Sequence, residues 1–275
     1  MKRWSFIVGA ILIILGVFAL LQVGLDALGV HFRIWWVFWP LVLIGLGVWI
    51  VSGFWRGGFS RASRERENAS VPLEGATEAE ITIHHGAGRL VVEAGAGGGE
   101  LLSGTFGGGL DATRRANGGR LSVDMRVRER DWRGYVFGPW DRGWAGALDW
   151  NVALTKSIPL SLRLETGASE SRLSLIDLQL RELWLKTGAS STMVDLPAAA
   201  GFTRVRVESG AAAIKLHVPQ GVAASIHVSS ALAGIHVDGS RFPRSGGGYR
   251  SPDWDSAANK LEIDVETGVG SLDVY

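Results

Sequence analysis

The side chains able to do chemistry are few and scattered. Asp177, Asp195, Asp238, Asp264 and Asp273 fall on or beside short apolar runs, as do His84, His217, His227 and His236. Carboxylates gathered on one face of neighbouring strands could serve as acid and base on a glycosidic bond. Their spacing does not place them at one position of successive strands. Each of the four histidines adjoins a position that alternation turns inward, so the imidazole itself points to solvent, where a metal site needs partners that the pattern does not supply. His31 has no obvious partner at all. No G-x-S-x-G elbow occurs. The glycine clusters at 95–99 and 107–109 lack the Lys-Ser/Thr of a phosphate loop and read as turns. With no cysteine in the chain, disulfides and thiolate-held metals are excluded. The expectation is a protein that is not an enzyme and holds no cofactor or metal.

One segment has the composition of a binding surface. Between Met125 and Trp150 the chain concentrates Arg130, Trp132, Arg133, Tyr135, Phe137, Trp140, Arg142 and Trp144. Aromatic rings with arginine are typical of interaction hot spots. They also suit a surface that meets lipid headgroups, and the rings could equally fold back over an open end of the domain. Lys plus Arg number 28 against 27 for Asp plus Glu, so no bulk charge attracts nucleic acid.

The elements that must position these groups come in two kinds. Phe6–Leu25 and Ile34–Phe54 are uncharged apolar runs, each about the 20 residues that a helix needs to cross a bilayer. The short link between them, with Arg33 its one cation, predicts an antiparallel transmembrane hairpin within residues 1–54. Trp4, Trp35, Trp36, Trp39, Trp49 and Trp55 sit near the ends of the runs, where aromatic belts form. Lys2 and Arg3 precede the first run, and Arg56, Arg61, Arg64 and Arg66 follow the second. The positive-inside rule then places both ends in the cytoplasm of a multi-pass membrane protein. Residues 55–72 read as a basic juxtamembrane linker near anionic headgroups.

Residues 73–275 follow a different rule. Six copies of a repeat can be anchored on Gly86, Gly167, Gly188, Gly210, Ala231 and Gly268. Before the anchors stand Ile81 and Ile83, Leu162 and Leu164, Leu183 and Leu185, Val205 and Val207, Ile226 and Val228, and Ile263 and Val265. After them stand Val92, Leu173, Val194, Leu216, Val237 and Val274. Aliphatic residues two apart line one face of a strand. A small anchor lets the chain turn where a Cβ would obstruct it. The pattern predicts an all-β domain, a β-solenoid or single-stranded β-helix of two or three short strands per rung, each rung stacking on the last. Pro197 and Pro219 mark strand ends. Irregular insertions interrupt the repeat at about 93–159, with strands near Leu121–Val127 and Leu148–Leu154, and at 241–255, which reads as an exposed loop.

The segments KTGASSTMVDLP and ESGAAAIKLHVP carry a recurring T-G-A or S-G-A, then an alternating strand and a proline. This resembles the "putative-adhesin", or toast-rack, domain of bacterial envelope proteins over most of residues 75–275. The apolar pair is similar to the transmembrane region of LiaI/LiaF-like proteins. The resemblance implies a cell-envelope protein that interacts with, senses or scaffolds other components. Its implied partner is a membrane protein such as a stress-sensing kinase; the apolar runs themselves call for the lipid bilayer, and unpaired strand edges at the solenoid ends invite self-association. An adhesin-like or carbohydrate-binding surface domain is the alternative. The resemblance transfers no catalytic motif.

Overall fold

The computed structural model describes residues 66–128 and 148–275. The expected transmembrane hairpin and the Arg/Trp stretch from Arg130 to Trp144 lie outside the described residues. Among the described residues no helix is long and apolar enough to cross a membrane.

The heart of the domain is a stack of long bent strands. They are β2 (Glu78–Ala94), β7 (Leu160–Ser174), β8 (Leu180–Asp195), β9 (Phe202–His217), β10 (Ala223–Val237) and β13 (Lys260–Val274). Each pairs in parallel with its neighbours along nearly its whole length, and pairing skips the anchor residue and, at a bulge between β7 and β8, Arg181. Each rung is therefore two limbs joined at a corner, with the anchor at the bend. The prolines fall where expected: β8 ends at Asp195 and β9 at His217, just before Pro197 and Pro219.

The aliphatic files pass through the interior as the alternation requires. Ile83, Leu164, Leu185, Val207, Val265 and Val228 are successive register partners. Every aliphatic position of the repeat is buried except Val228 and Val237, both on β10. Burying each Leu or Val contributes roughly 1.5–3 kcal/mol relative to leaving it in water. No single rung can do this alone, because its inner face is covered only by the opposite limb and the rungs on either side.

The stack does not follow chain order. The sheet runs β2–β7–β8–β9–β13–β10, so the last rung is inserted between β9 and β10 rather than added at the end. Two features of the residues favour this order. Outside, Asp264 of β13 lies between Arg206 and His227, and Asp273 between Lys215 and His236. Direct β9–β10 stacking would set those cationic or neutral groups against each other. At the corner β13 carries Gly268, while β10 carries Ala231, and a Cβ is better tolerated on a rung with one neighbour.

The first interruption builds the other end of the stack. β5 (Arg120–Val127) continues the first limb beyond β2, and β6 (Trp150–Leu154) continues the second. Together they form one more rung, split at its corner. β4 (Leu110–Asn117) pairs antiparallel with β5, β3 (Glu100–Gly107) with β6, and β1 (Arg66–Pro72) with β3. The β-domain thus begins within the stretch 55–72 that composition marks as a linker; alternation there is weak, and the pairing of β1 with the insertion is long-range. The second interruption is a cap rather than an exposed loop. β11 (Arg244–Ser245) and β12 (Gly248–Arg250) form a small hairpin, and β12 pairs with Ser225 and Ile226 of β10. Phe242 is only 1% exposed in the core. Ser251 is buried and accepts a hydrogen bond at Oγ from the Ala224 amide.

Candidate interaction surfaces

The corner holds a polar file inside the bend. His85, Thr166, Thr187, Ser209, Thr267 and Ser230 are register partners. Thr166 Oγ1 donates to Thr187 Oγ1 at 3.0 Å, which donates to Ser190 Oγ at 2.6 Å. Ser209 Oγ donates to Thr267 Oγ1 at 2.8 Å. Buried hydroxyls must find partners, and here they find them in a neighbouring rung or, for Thr187, across the corner of its own. Closing this file at one end, His85 replaces a hydroxyl with an imidazole. Its Nε2 lies 2.7 Å from the Leu148 carbonyl oxygen, and its ring is tilted against Trp150 at 5.5 Å. Burial pushes its pKa down, opposed by the Leu148 carbonyl and the Asp149 carboxylate.

That contact sits where the split rung opens. The described chain leaves the rung at Arg128 and returns at Leu148. Arg128 pairs with Glu67 at 3.0 Å, and Gly107 donates to the Asp149 carbonyl. The Leu110 amide and the Arg128 guanidinium hold the Glu67 carboxyl below its usual range. The start of β1 and both ends of the Arg/Trp insertion therefore share one corner. The eight residues predicted to form an interaction surface, Arg130 through Trp144, are not themselves described.

Parts of the outer face alternate in charge from rung to rung, although Glu208 and Glu266 are like-charged register partners. Glu165, Lys186 and Glu208 are successive partners on the first limb, as are Glu182, Arg204 and Glu262. His84 bridges Asp124 at 3.4 Å and Glu165 at 3.0 Å, and the Arg126 guanidinium keeps the Asp124 carboxyl below its ordinary value. His217 meets Asp195 at 3.1 Å and stacks on Tyr275. His227 and His236 are exposed, as the alternation predicts. Among the described residues no group of three histidine or acidic side chains converges as a metal site. Exposed pairs of this kind contribute little stability each.

Two surfaces stand out from this pattern. On the outer face of the first limb, the Arg163 guanidinium covers the Trp184 ring at 3.6 Å. Beside it an open groove is lined by Ser161, Arg181, Glu182, Ala200, Phe202 and Arg204, with Phe202 49% exposed. At the β10 end, Leu232 is 77%, Val269 53% and Ile235 38% exposed. A readable signal for this second patch existed. Ala87, Ala168, Ala189 and Ala211 occupy the outward position just after the corner, and only Val269 and Leu232 depart from alanine there. Phe202 gave no such signal, since it opens its strand outside the repeat.

Stacked two-limbed rungs around an aliphatic core, with small residues at every corner, define an all-β solenoid domain. The chain belongs to the toast-rack family: residues 60–217 match the profile described as the N-terminal domain of toast_rack, DUF2154. Among solved structures, it is similar to a putative cell adhesion protein from Clostridium sporogenes, with 18% identity, a TM-score of 0.67, and coverage of 77% of this chain and 99% of that one. It is also matched to a putative adhesin from Bacteroides fragilis at 7% identity and a TM-score of 0.25, over 79% of this chain and 100% of that one. At such identities the first likeness speaks to fold alone. Comparison with curated proteins finds no match.

Proposed function

We propose that this chain is a membrane-anchored interaction or scaffolding protein of the bacterial cell envelope, not an enzyme, and that it modulates an envelope-stress signalling system. The observation that carries the reading is a division of labour along the chain. Two uncharged apolar runs, Phe6–Leu25 and Ile34–Phe54, precede a domain whose outer faces offer binding groups, above all Phe202 beside Arg181 and Arg204. A half-exposed aromatic flanked by guanidinium groups is the composition of an interaction hot spot. The partner is a membrane protein such as a sensor kinase, and the positive-inside rule puts the β-domain on the cytoplasmic side.

The test combines a stress reporter with site-specific cross-linking in cells. Removing the chain should change the reporter's response to envelope damage. A photo-cross-linking residue at position 202 should capture one membrane protein, and F202A should weaken that capture. An unchanged reporter together with no cross-link above that of an exposed control position refutes the proposal. The adhesin-like reading, in which Phe202 stacks on a sugar or other external ligand, requires the opposite topology. Labelling of an introduced Ser245→Cys by an impermeant reagent in intact cells favours that reading.

A further inference from the structure

The two ends of the solenoid are finished differently. At the β1–β4 end the sheet closes with antiparallel strands bearing Glu67, Arg114 and Arg115. At the other end β12 covers β10 only at Ser225 and Ile226. Among the described residues, nothing pairs with the far edge of β10 beyond that point, along its second limb. A strand edge of this kind is normally blunted by charge, proline or a bulge. Ser229–Val237, SSALAGIHV, contains none of these, and its one titratable residue is His236.

The inner file confirms that a layer is missing here. Leu90, Ser171, Thr192, Ile214, Leu272 and Ile235 are register partners. All are buried except Ile235, which belongs to the terminal rung. Leu232 and Val269 add exposed apolar surface on the outer face beside it.

We propose that two copies of this chain join through antiparallel pairing of their β10 edges, continuing the sheet from one solenoid into the next. The strand is self-complementary about Gly234. With that glycine on the two-fold axis, Leu232 faces His236 of the other copy and Ala233 faces Ile235. Outward residues thus meet outward ones and inward residues meet inward ones, as a pleated sheet requires. Strand residues 231–237 set no like-charged carboxylates or ammonium groups together. Ile235 then gains the neighbour that every other member of its file already has. The occupant is identified by charge and surface: a second copy brings an edge equally free of carboxylates, lysine and arginine over 231–237, with the same exposed Leu232 and Ile235 to cover. The inference is independent of the signalling role.

The absence of native cysteine makes a direct test available. A Cβ at Gly234 meets nothing nearer than the Gly270 carbonyl at 4.0 Å, so Gly234→Cys fits the fold. In the detergent-extracted full chain, this variant should cross-link to a species of doubled mass with a mild oxidant or a short bismaleimide. Ser245→Cys, exposed on the cap hairpin, should not. Adding L232K to the Gly234→Cys chain should abolish the dimer, while circular dichroism confirms retained strand content. Light scattering of the unmodified chain across the micromolar range should read two copies per particle. A monomeric mass for the unmodified chain overturns the proposal. So does equal cross-linking at position 245, or protection of the β10 amides from exchange in a monomer or by a co-purified polypeptide.

Discussion

Replacing Gly268 with alanine tests the corner geometry most sharply. A Cβ built there lies 2.6 Å from the Gly210 carbonyl oxygen of the adjoining rung. That is about 0.8 Å inside ordinary contact distance. β13 cannot move away, because β10 is paired on its other side. Relief must come from spreading the β9–β13 ladder at the bend, where the flanking pairs are Ser209 with Thr267 and Ala211 with Val269. Overpacking of this kind costs about 1–3 kcal/mol, and strained ladder bonds at the corner add about 1 kcal/mol. Against this, alanine restricts the unfolded chain and returns about 0.4–1 kcal/mol. The net expectation for G268A is a loss of about 2 kcal/mol, or roughly 4–8 °C in melting temperature for a domain of this size. The internal comparison is G210A. Its Cβ would lie 3.3 Å from the Gly188 carbonyl oxygen, so a few tenths of an ångström suffice and the change should be nearly neutral. Thermal and urea unfolding of the two variants of the full chain decide the matter. If G268A proves as stable as G210A, the corner does not need its glycines for close approach of the rungs.

Other consequences follow from the same structure. Leu185→Ala empties a fully buried central position and should cost about 2–5 kcal/mol in urea unfolding, whereas Leu232→Ala, exposed on the end rung, should leave the midpoint of the monomeric chain nearly unchanged. Thr187→Val removes the acceptor for Thr166 and the donor to Ser190. Leaving buried hydroxyls unmatched should cost about 1–3 kcal/mol, and Thr187→Ser should recover most of it. For His85 the folded state favours the neutral ring, so its pKa lies below the unfolded value near 6.5. Its contribution to stability is complete above that unfolded value and declines as pH falls toward the lower folded one. Urea midpoints at about pH 7.5 and 5.5 should therefore differ more for the natural chain than for His85→Thr, which restores the hydroxyl of the file.

Much of the domain was legible before any fold was seen. The aliphatic pairs around Gly167, Gly188 and Gly210 recur at nearly constant spacing, and the rungs they define do stack with Leu164, Leu185 and Val207 in one file. A period repeated in sequence becomes a period in space because each rung offers its neighbour the same edge. The surfaces were harder to read. Phe202 and Arg204 are unremarkable in the chain, and they form one groove with Arg181 only because two rungs lie side by side. His85 reads as one more residue before an anchor, yet the turn of the split rung brings it to Leu148.

Local alternation and the small anchors determined by themselves that this chain makes bent rungs with aliphatic interiors and polar exteriors. Those are short-range properties: which face a side chain takes and where a Cβ would obstruct the bend. Rung order was decided only in three dimensions. β13 lies inside the stack, between β9 and β10, β5 and β6 share one broken rung, and Phe242 caps the core, since edge matching between distant segments depends on charge and volume across rungs. The open flank of β10 is a product of that choice, because a strand becomes an edge only when every other partner has been placed.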